Sequence, residues 1–449
     1  MPGWGTRIRW SAFTAWHLRH ESSLPFWPLE RVLAVQARRI RQIAAFAARE
    51  VPFYREAFRS AGLRPKECRS AADLARLPLL RKEEVSRHPE RFRPERLNRA
   101  SLRLHSSGTS GKARTIDYDD RALFLALAHG YRQRLVLARV LGRTTGYREA
   151  VIARPEGLPV QIRRFYETHS WFPSRVELER IIISPAESYT QIFRRLEEFQ
   201  PDAVFGYGSH LGAFYRWMAG NNTGGHLPRV IFYGADRMPD ADRTLIEEKL
   251  GIPVFSFYQS AESLRIAFQC ERRQGLHLSL DQIAVRVIDS SGHDAPPGGR
   301  GEIVISNLTN RATVLLNYSL GDIVTVASGP CPCGRSLPII DRIEGRADDL
   351  VRLPDGSSIH ALSALEGVQA VPGVIQVQIV QEELRRFLLR AVCSPEADWP
   401  VIEKRFASVL SSTLGDGLTL QIERVPEIAP DSSGKVRAVV SRITGLSSR

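Results

Sequence analysis

Val230-Ile231-Phe232-Tyr233-Gly234-Ala235-Asp236 is an apolar run that stops on a glycine and an acid. Four β-branched or aromatic residues bounded by a breaker predict a strand. A helical pattern follows, opened by Pro239, running to Leu250 and closed by Gly251, and Val254–Tyr258 predicts the next strand. The same alternation lies upstream: Ile181-Ile182-Ile183 inside 175–184, a helical pattern from Ala186 to Phe199, then Ala203-Val204-Phe205. Strand–helix–strand alternation implies an α/β fold whose parallel-rich sheets are covered by helices. Ligands of such sheets bind beyond the carboxyl ends of the strands. Gly234-Ala235-Asp236 and Tyr258–Glu262, both directly after strands, are therefore expected at the site.

Outside this stretch the pattern changes. Residues 280–325 read as a β subdomain, with Ile283–Ile288 and Glu302–Ser306 separated by turns at Ser291-Gly292 and Pro296–Gly301. The charge-dense segment Asp341–Asp349 reads as a boundary. Beyond it a helix (Trp399–Leu414) and strands (Val374–Val380, Leu418–Val425) predict a small α+β domain. The expected division is 1–344 for a large N-terminal domain and 345–449 for the C-terminal one. Residues 30–60 predict an amphipathic helix that covers a core with Leu33, Val35, Ile40, Ile43 and Phe46.

Composition narrows the class. A chain of 449 residues, 43% hydrophobic and 25% charged, is expected to build a sizeable globular core in more than one domain. No apolar run approaches the ~20 residues of a membrane span. The net charge of +13 comes from arginines scattered through helices and strands, without a basic run or aromatic ladder. Neither a nucleic-acid nor a membrane partner is expected. Five cysteines, an odd number, argue against a disulfide framework and for a cytoplasmic protein.

Ser106-Ser107-Gly108-Thr109-Ser110-Gly111-Lys112 packs two glycines, four hydroxyls and a lysine into seven residues. Glycines let backbone N–H groups converge on an anion, hydroxyls add donors, and lysine adds a point charge. The chain has only six lysines among its 62 basic residues, so one in such a loop is informative. Another, Lys435, stands in Ser432-Ser433-Gly434-Lys435 near the C-terminus. Two such sites far apart suggest a nucleotide enzyme whose tail returns to the site.

These motifs recur in a fixed order: 107–112, Gly-Ala-Asp at 234–236, Tyr-x-x-x-Glu at 258–262, Tyr-Ser-Leu-Gly-Asp at 318–322, Gly-Arg-Ala-Asp-Asp at 345–349 and Ser-Gly-Lys at 433–435. In that order the chain resembles the adenylate-forming superfamily of acyl-CoA synthetases and adenylation domains. Cys-Glu-Arg-Arg-Gln-Gly-Leu-His (270–277), Cys-Pro-Cys-Gly-Arg (331–335) and the segment 341–349 make it most similar to the phenylacetate–CoA ligase branch. The resemblance implies a large domain and a mobile C-terminal lid, with ATP and a carboxylic acid, aromatic or arylacetic, between them. It further implies that Ser107, Gly108, Thr109, Ser110, Gly111 and Lys112 cradle phosphates, and that Gly234, Ala235 and Asp236 line the adenine pocket. Tyr258 would stack on the base, Glu262 hold Mg²⁺, Asp322 accept from the ribose hydroxyls and Arg346 sit nearby. Asp348 would be the hinge, and Lys435 would reach the α-phosphate during adenylation. Phe205, Tyr207, Ser209 and His210 would contribute to the acid pocket. Dimers are common in the resembled branch, although the residues themselves do not set an oligomeric state.

Departures from the branch pattern leave the acyl acceptor open. Gln259 and Ala261 replace a glycine and a hydroxyl residue, Ser260 standing between them. Ala113 and Arg114 follow Lys112, Asn317 precedes Tyr318, and Leu353–Ser357 differs on the lid face of the second half-reaction. Coenzyme A is the expected acceptor; an amine, a carrier-protein thiol, or a weakened nucleotide-binding homologue are the alternatives. Separately, Cys270, His277, Cys331 and Cys333 offer three thiolates and one imidazole, a donor set that tetrahedral structural zinc accepts.

Overall fold

The computed structural model describes residues 3–96, 101–106, 114–172, 178–346, 350–354, 358–360, 368, 371–394, 396–415, 417–428 and 439–443. They fall into two compact units: 1–148 with 155–180 and 255–343, and 149–154 with 181–254 and 344–449.

The first unit orders its strands Ile283–Ile288, Arg300–Asn307, Tyr318–Val326, Ile339–Arg346, Leu276–Leu278, Ala267–Phe268 and Val254–Tyr258 as neighbours. Adjacent pairs such as Val285 with Ile305, Ile339 with His277, and Phe257 with Phe268 run antiparallel. A separate antiparallel hairpin pairs Leu102–Ser106 with Arg114–Tyr118, Ser106 facing Arg114. Its inward residues Leu104, Ile116 and Tyr118 are buried. The glycine-rich stretch 107–113 connects these two strands and lies outside the described residues.

Residues 30–60 make two helices, not the single one their periodicity predicts: Leu29–Glu50 and Pro52–Ser60. Val51 is extended (φ −109°, ψ 120°) because a residue before proline is driven from the helical region. Ile40, Ile43 and Phe46 are buried as expected, together with Val32, but Leu33 is 41% exposed and Val35 only partly buried, so the covering face is turned by one position at its start.

Helix Trp4–Glu21 packs on helix Asp120–His129, where the Trp10 and Phe124 rings stack at 4.7 Å. Its last residue enters a buried ionic cluster. Arg132 donates to Glu21 Oε2 at 2.7 Å and to Asp281 Oδ1 at 2.9 Å. His129 Nε2 lies 3.4 Å from Glu21 and 3.2 Å from Asp281, and Arg39 reaches Asp281 at 3.5 Å. Burial works against the Asp281 charge, but Arg132, His129 and Arg39 overcome it and hold the carboxyl well below its ordinary range. Arginines that look like compositional bias in the sequence are here interior partners of acids.

The second unit carries parallel pairings of Glu149–Val151 with Ala203–Phe205, and of Ala203–Tyr207 with Val230–Gly234. Helices Tyr189–Phe199 and Gly208–Gly220 cover them through Ile192, Leu196, Leu211, Phe214 and Met218. Ser188 and Gln191 form a capping box at the start of the first of these. The helix expected from Pro239 is shorter, Asp240–Thr244, continuing as a π-turn over Leu245–Lys249. The same unit includes a small C-terminal α+β region. There the antiparallel hairpin Val374–Glu383/Arg386–Cys393 is flanked by parallel strands Thr419–Arg424 and Val439–Ser441. Helix Trp399–Leu414 seals that sheet with Ile402, Phe406, Leu410 and Leu414.

Candidate active site and metal centre

In the first unit, strand Val254–Tyr258 delivers Tyr258 at its carboxyl end. Its phenol donates to Asp322 Oδ2 at 2.5 Å. Asp322 follows Gly321, whose φ of 75° belongs to the left-handed region that favours glycine. A tight turn then places Glu262: Ser260 N donates to the Ser263 carbonyl, and Ser263 N donates to Ser260 Oγ, each at 3.1 Å. The side chain of Ser260 is thus engaged within the turn. Glu262 is buried at 5% exposure, and Tyr318 donates to its Oε1 at 3.3 Å. Tyr118 donates to the Ala261 carbonyl at 2.9 Å and Asn307 to the Glu262 carbonyl at 3.0 Å. Tyr118 and Asn307 lie outside the sequence motifs, and Tyr318 stands within one that gave it no role. A buried tyrosine needs a partner for its hydroxyl, and that is the one signal the sequence offered.

Asn317 is one of the departures from the resembled pattern. It has φ 51°, a conformation asparagine tolerates. Its side-chain amide donates to Leu77 O at 2.8 Å, and its own carbonyl accepts from Leu80 N at 2.9 Å. The residue ties segment 77–80 to the strand that carries Asp322.

In the second unit, strand Val230–Gly234 ends at Ala235, which has φ 70°, and Asp236. Ser209 Oγ donates to Asp236 Oδ2 at 2.5 Å and its N–H to Oδ1 at 3.3 Å. Gly208 is required here, since a Cβ would meet Met238 N at 2.6 Å and Tyr233 Cδ2 at 2.7 Å. Phe205 stacks on Phe232 at 5.1 Å. His210 is buried against Tyr189, ring centroids 5.5 Å apart, and burial lowers its pKa to about 4. Arg346 ends strand Ile339–Arg346. Ser107, Gly108, Thr109, Ser110, Gly111, Lys112, Asp348 and Lys435 lie outside the described residues.

The four expected metal ligands come together in the first unit. Antiparallel pairing of Ile339 with His277 draws the Cys-Pro-Cys-Gly turn beside the strand Leu276–Leu278. One donor atom from each of Cys270, His277, Cys331 and Cys333 falls within 4.8 Å of every other. Cys270 Sγ to Cys331 Sγ is 3.6 Å, and Cys333 Sγ to His277 Nε2 is 3.4 Å. Zinc–sulfur and zinc–nitrogen bonds of about 2.3 and 2.0 Å around a tetrahedron require edges of about 3.8 and 3.5 Å. The arrangement fits. His277 Nδ1 lies 3.1 Å from the Leu337 carbonyl, which can only accept, so Nδ1 carries the proton and Nε2 keeps its lone pair. Burial holds the imidazole neutral, with a pKa of about 4. It also pushes the Cys270 thiol up to about 12. For Cys333 burial is outweighed by Arg335, whose N–H donates to the sulfur at 3.4 Å, and the thiol is lowered.

Comparison with known proteins agrees with this architecture. The CapK C-terminal domain model matches residues 351–442. Phenylacetate–coenzyme A ligase of Thermus thermophilus is 26% identical over 373 residues, covering 80% of each chain. Protein CapK of Staphylococcus aureus is 22% identical, covering 91% of this chain and 89% of its own. Among solved structures, 2-hydroxyisobutyryl-CoA ligase in the postadenylation state matches with a TM-score of 0.73 at 20% identity, over 94% of this chain and 91% of that one. The fold is that of the adenylate-forming coenzyme A ligases. In sequence, the chain is similar to phenylacetate–CoA ligases and to CapK.

Proposed function

We propose that the protein is an AMP-forming acid–thiol ligase that activates a carboxylic acid with ATP and transfers the acyl group to coenzyme A. The observation that carries this reading is the Tyr258–Asp322 bond beside the Tyr318–Glu262 contact, in a chain whose curated relatives include phenylacetate–CoA ligases. The substrate carboxylate oxygen attacks the α-phosphorus, the α–β phosphoanhydride breaks, and pyrophosphate leaves. The coenzyme A thiol then loses its proton and attacks the acyl carbon, and AMP departs with the bridging oxygen.

In this reading Tyr258 packs on the adenine and Asp322 binds the ribose hydroxyls. Tyr318 orients Glu262, whose carboxylate is the donor type that Mg²⁺ takes. Bound there, Mg²⁺ would neutralise developing phosphate charge. Gly234, Ala235 and Asp236 line the base pocket, with Asp236 fixed by Ser209. Lys112 holds the outer phosphates, Lys435 approaches the α-phosphate, and residues 345–449 turn about Asp348 as the lid. The Cys270–His277–Cys331–Cys333 quartet is a closed structural zinc site, which leaves no ligand position for a reactant. Five cysteines, none in a disulfide, suit a reducing, cytoplasmic setting.

The test is acid-dependent pyrophosphate release over a panel of aromatic, arylacetic and short hydroxy acids. Absence of release with every acid overturns the activity. The CapK model match over 351–442 favours one second reading, transfer to an acceptor other than coenzyme A. Coenzyme A that fails to accelerate AMP formation, where an amine or alcohol does so, selects that reading.

A further inference from the structure

Helix Trp4–Glu21 packs on the first unit through Trp10, Ser11, Thr14 and Glu21, all buried. Its opposite side carries Trp4 at 79% exposure, Ile8 at 53% and Trp16 at 60%. With exposed Ala12 these stand at every fourth position, so they share one face. The other exposed side chains of the helix are Arg9, Ala15, Arg19 and His20. None is an acid, an amide or a hydroxyl residue. Helix Leu29–Glu50 is the contrast, with Glu30, Arg31, Arg38, Gln42 and Arg49 among its exposed residues. A helix that covers a core keeps its solvent side polar. One that is apolar on that side as well has a further surface to meet.

The patch extends at both ends of the helix. Trp4 meets the half-buried Trp171 ring edge-on at 6.1 Å. At the other end His20 meets the Trp27 ring at 6.1 Å, and Phe26 beside it is 42% exposed. Cations border the rings. Arg19 lies over Trp16 at 3.9 Å, Arg31 over Trp27 at 3.7 Å and Arg9 over Trp10 at 4.7 Å. Among the described residues these three arginines rest on rings and none is ion-paired. The acids close by are buried, engaged or marginal. Glu21, the single acid of the helix, is buried and bound to Arg132. Glu167, whose carbonyl accepts from Arg7 at 2.7 Å, gives its carboxylate to Arg163 at 2.6 Å. Glu30 stands at the margin, next to Arg31.

We infer that this face docks on the surface of an anionic lipid bilayer, with the helix lying in the headgroup layer. Indole rings favour that depth, which serves both their apolar body and their N–H. Arginines flanking them reach lipid phosphates while their stems stay on apolar surface. A second copy laid on the same face would set arginine against arginine, whereas an anionic surface answers both the rings and the cations. The helix lies on the bilayer; none of the described helices is long and apolar enough to cross one. Composition, with its arginines scattered, predicts no such partner. Folding gathers Arg9 and Arg19 beside Trp4, Ile8 and Trp16, none of which belongs to the nucleotide motifs.

Co-sedimentation of the full chain with vesicles tests the face. Vesicles of phosphatidylcholine and phosphatidylglycerol in equal parts should retain the wild type, and retention should fall as salt is added. Phosphatidylcholine alone should bind it roughly tenfold or more weaker. Trp4→Gln/Trp16→Gln should bind the anionic vesicles roughly tenfold or more weaker than wild type, with Tm little changed because both rings are exposed. Arg9→Gln/Arg19→Gln should weaken binding and flatten its salt dependence. Retention by neither vesicle, or binding that the tryptophan variant leaves unchanged, overturns the inference. A dimer in sedimentation velocity that the tryptophan variant dissolves, without vesicle binding, also overturns it and assigns the face to a second copy.

Discussion

The Tyr258 phenol and the Asp322 carboxylate share a 2.5 Å hydrogen bond across 64 residues of chain. Under the proposed function, the tyrosine that would stack on the base and the acid that would bind the ribose are thus held together before any nucleotide arrives. Tyr258→Phe keeps the ring and removes the bond. A hydrogen bond to a charged group contributes about 1.5–3 kcal/mol, so KM for ATP should rise roughly tenfold or more with kcat changed far less. Steady-state kinetics at saturating acid reads this, and an unchanged KM removes the pair from nucleotide binding.

Glu262→Gln leaves the turn's backbone bonds intact but withdraws the charge. Adenylation should fall at least about a hundredfold, the scale of several kcal/mol of electrostatic stabilisation. Tyr318→Phe should fall by less, because it loosens Glu262 without neutralising it. Burst measurements of pyrophosphate separate the two, and equal losses in both would show that Tyr318 does more than position.

One zinc per chain is expected by elemental analysis. Cys331→Ser should lose it and lower Tm by roughly 5–10 °C, as a loss of several kcal/mol does in a domain this size. Ser336 N donates to the Pro25 carbonyl at 2.8 Å, and Ser336 Oγ binds Trp27 O, so the cysteine turn also holds residues 24–27. Limited proteolysis of metal-stripped protein should open new cuts there first. A metal-free preparation with wild-type Tm would rule out a structural ion.

Removing Arg132 takes a guanidinium bond from each of two buried carboxylates. Arg132→Met should destabilise by about 3–5 kcal/mol, read by urea unfolding. The cluster also sets an acid limit. Asp281 titrates lower folded than unfolded, so its stabilisation is full above about pH 4 and is lost as pH falls below that towards the depressed folded value. Asp281→Asn should start from a lower Tm at pH 7 and decline less steeply into acid. Parallel acid limbs would show that other carboxylates set the limit.

The elements were legible where periodicity and composition agree. Helix Trp399–Leu414 stands where its pattern put it, and Ala203–Tyr207, Val230–Gly234 and Val254–Tyr258 are strands. The quartet of sulfur and imidazole ligands was legible because such soft donors are scarce and clustered in turns. Pro52 was an available signal for the helix break. The hairpin around the glycine-rich stretch was signalled by Leu102–Leu104 and Ile116–Tyr118 and went unread. Tyr118–Ala261, Asn317–Leu77 and the Arg132 cluster were not legible, because each is a contact between segments more than 100 residues apart and nothing local marks its partner.

Glu21, Arg132 and Asp281 meet in one dry knot although synthesis delivers them far apart in time. At about 5–20 residues per second, the ribosome emits Asp281 roughly 13–50 s after Glu21. Arg132 and His129, which emerge in between, have Glu21 as their acid in the cluster until Asp281 follows. The knot therefore closes in two steps, the helix end meeting its cations first and the second carboxylate completing it.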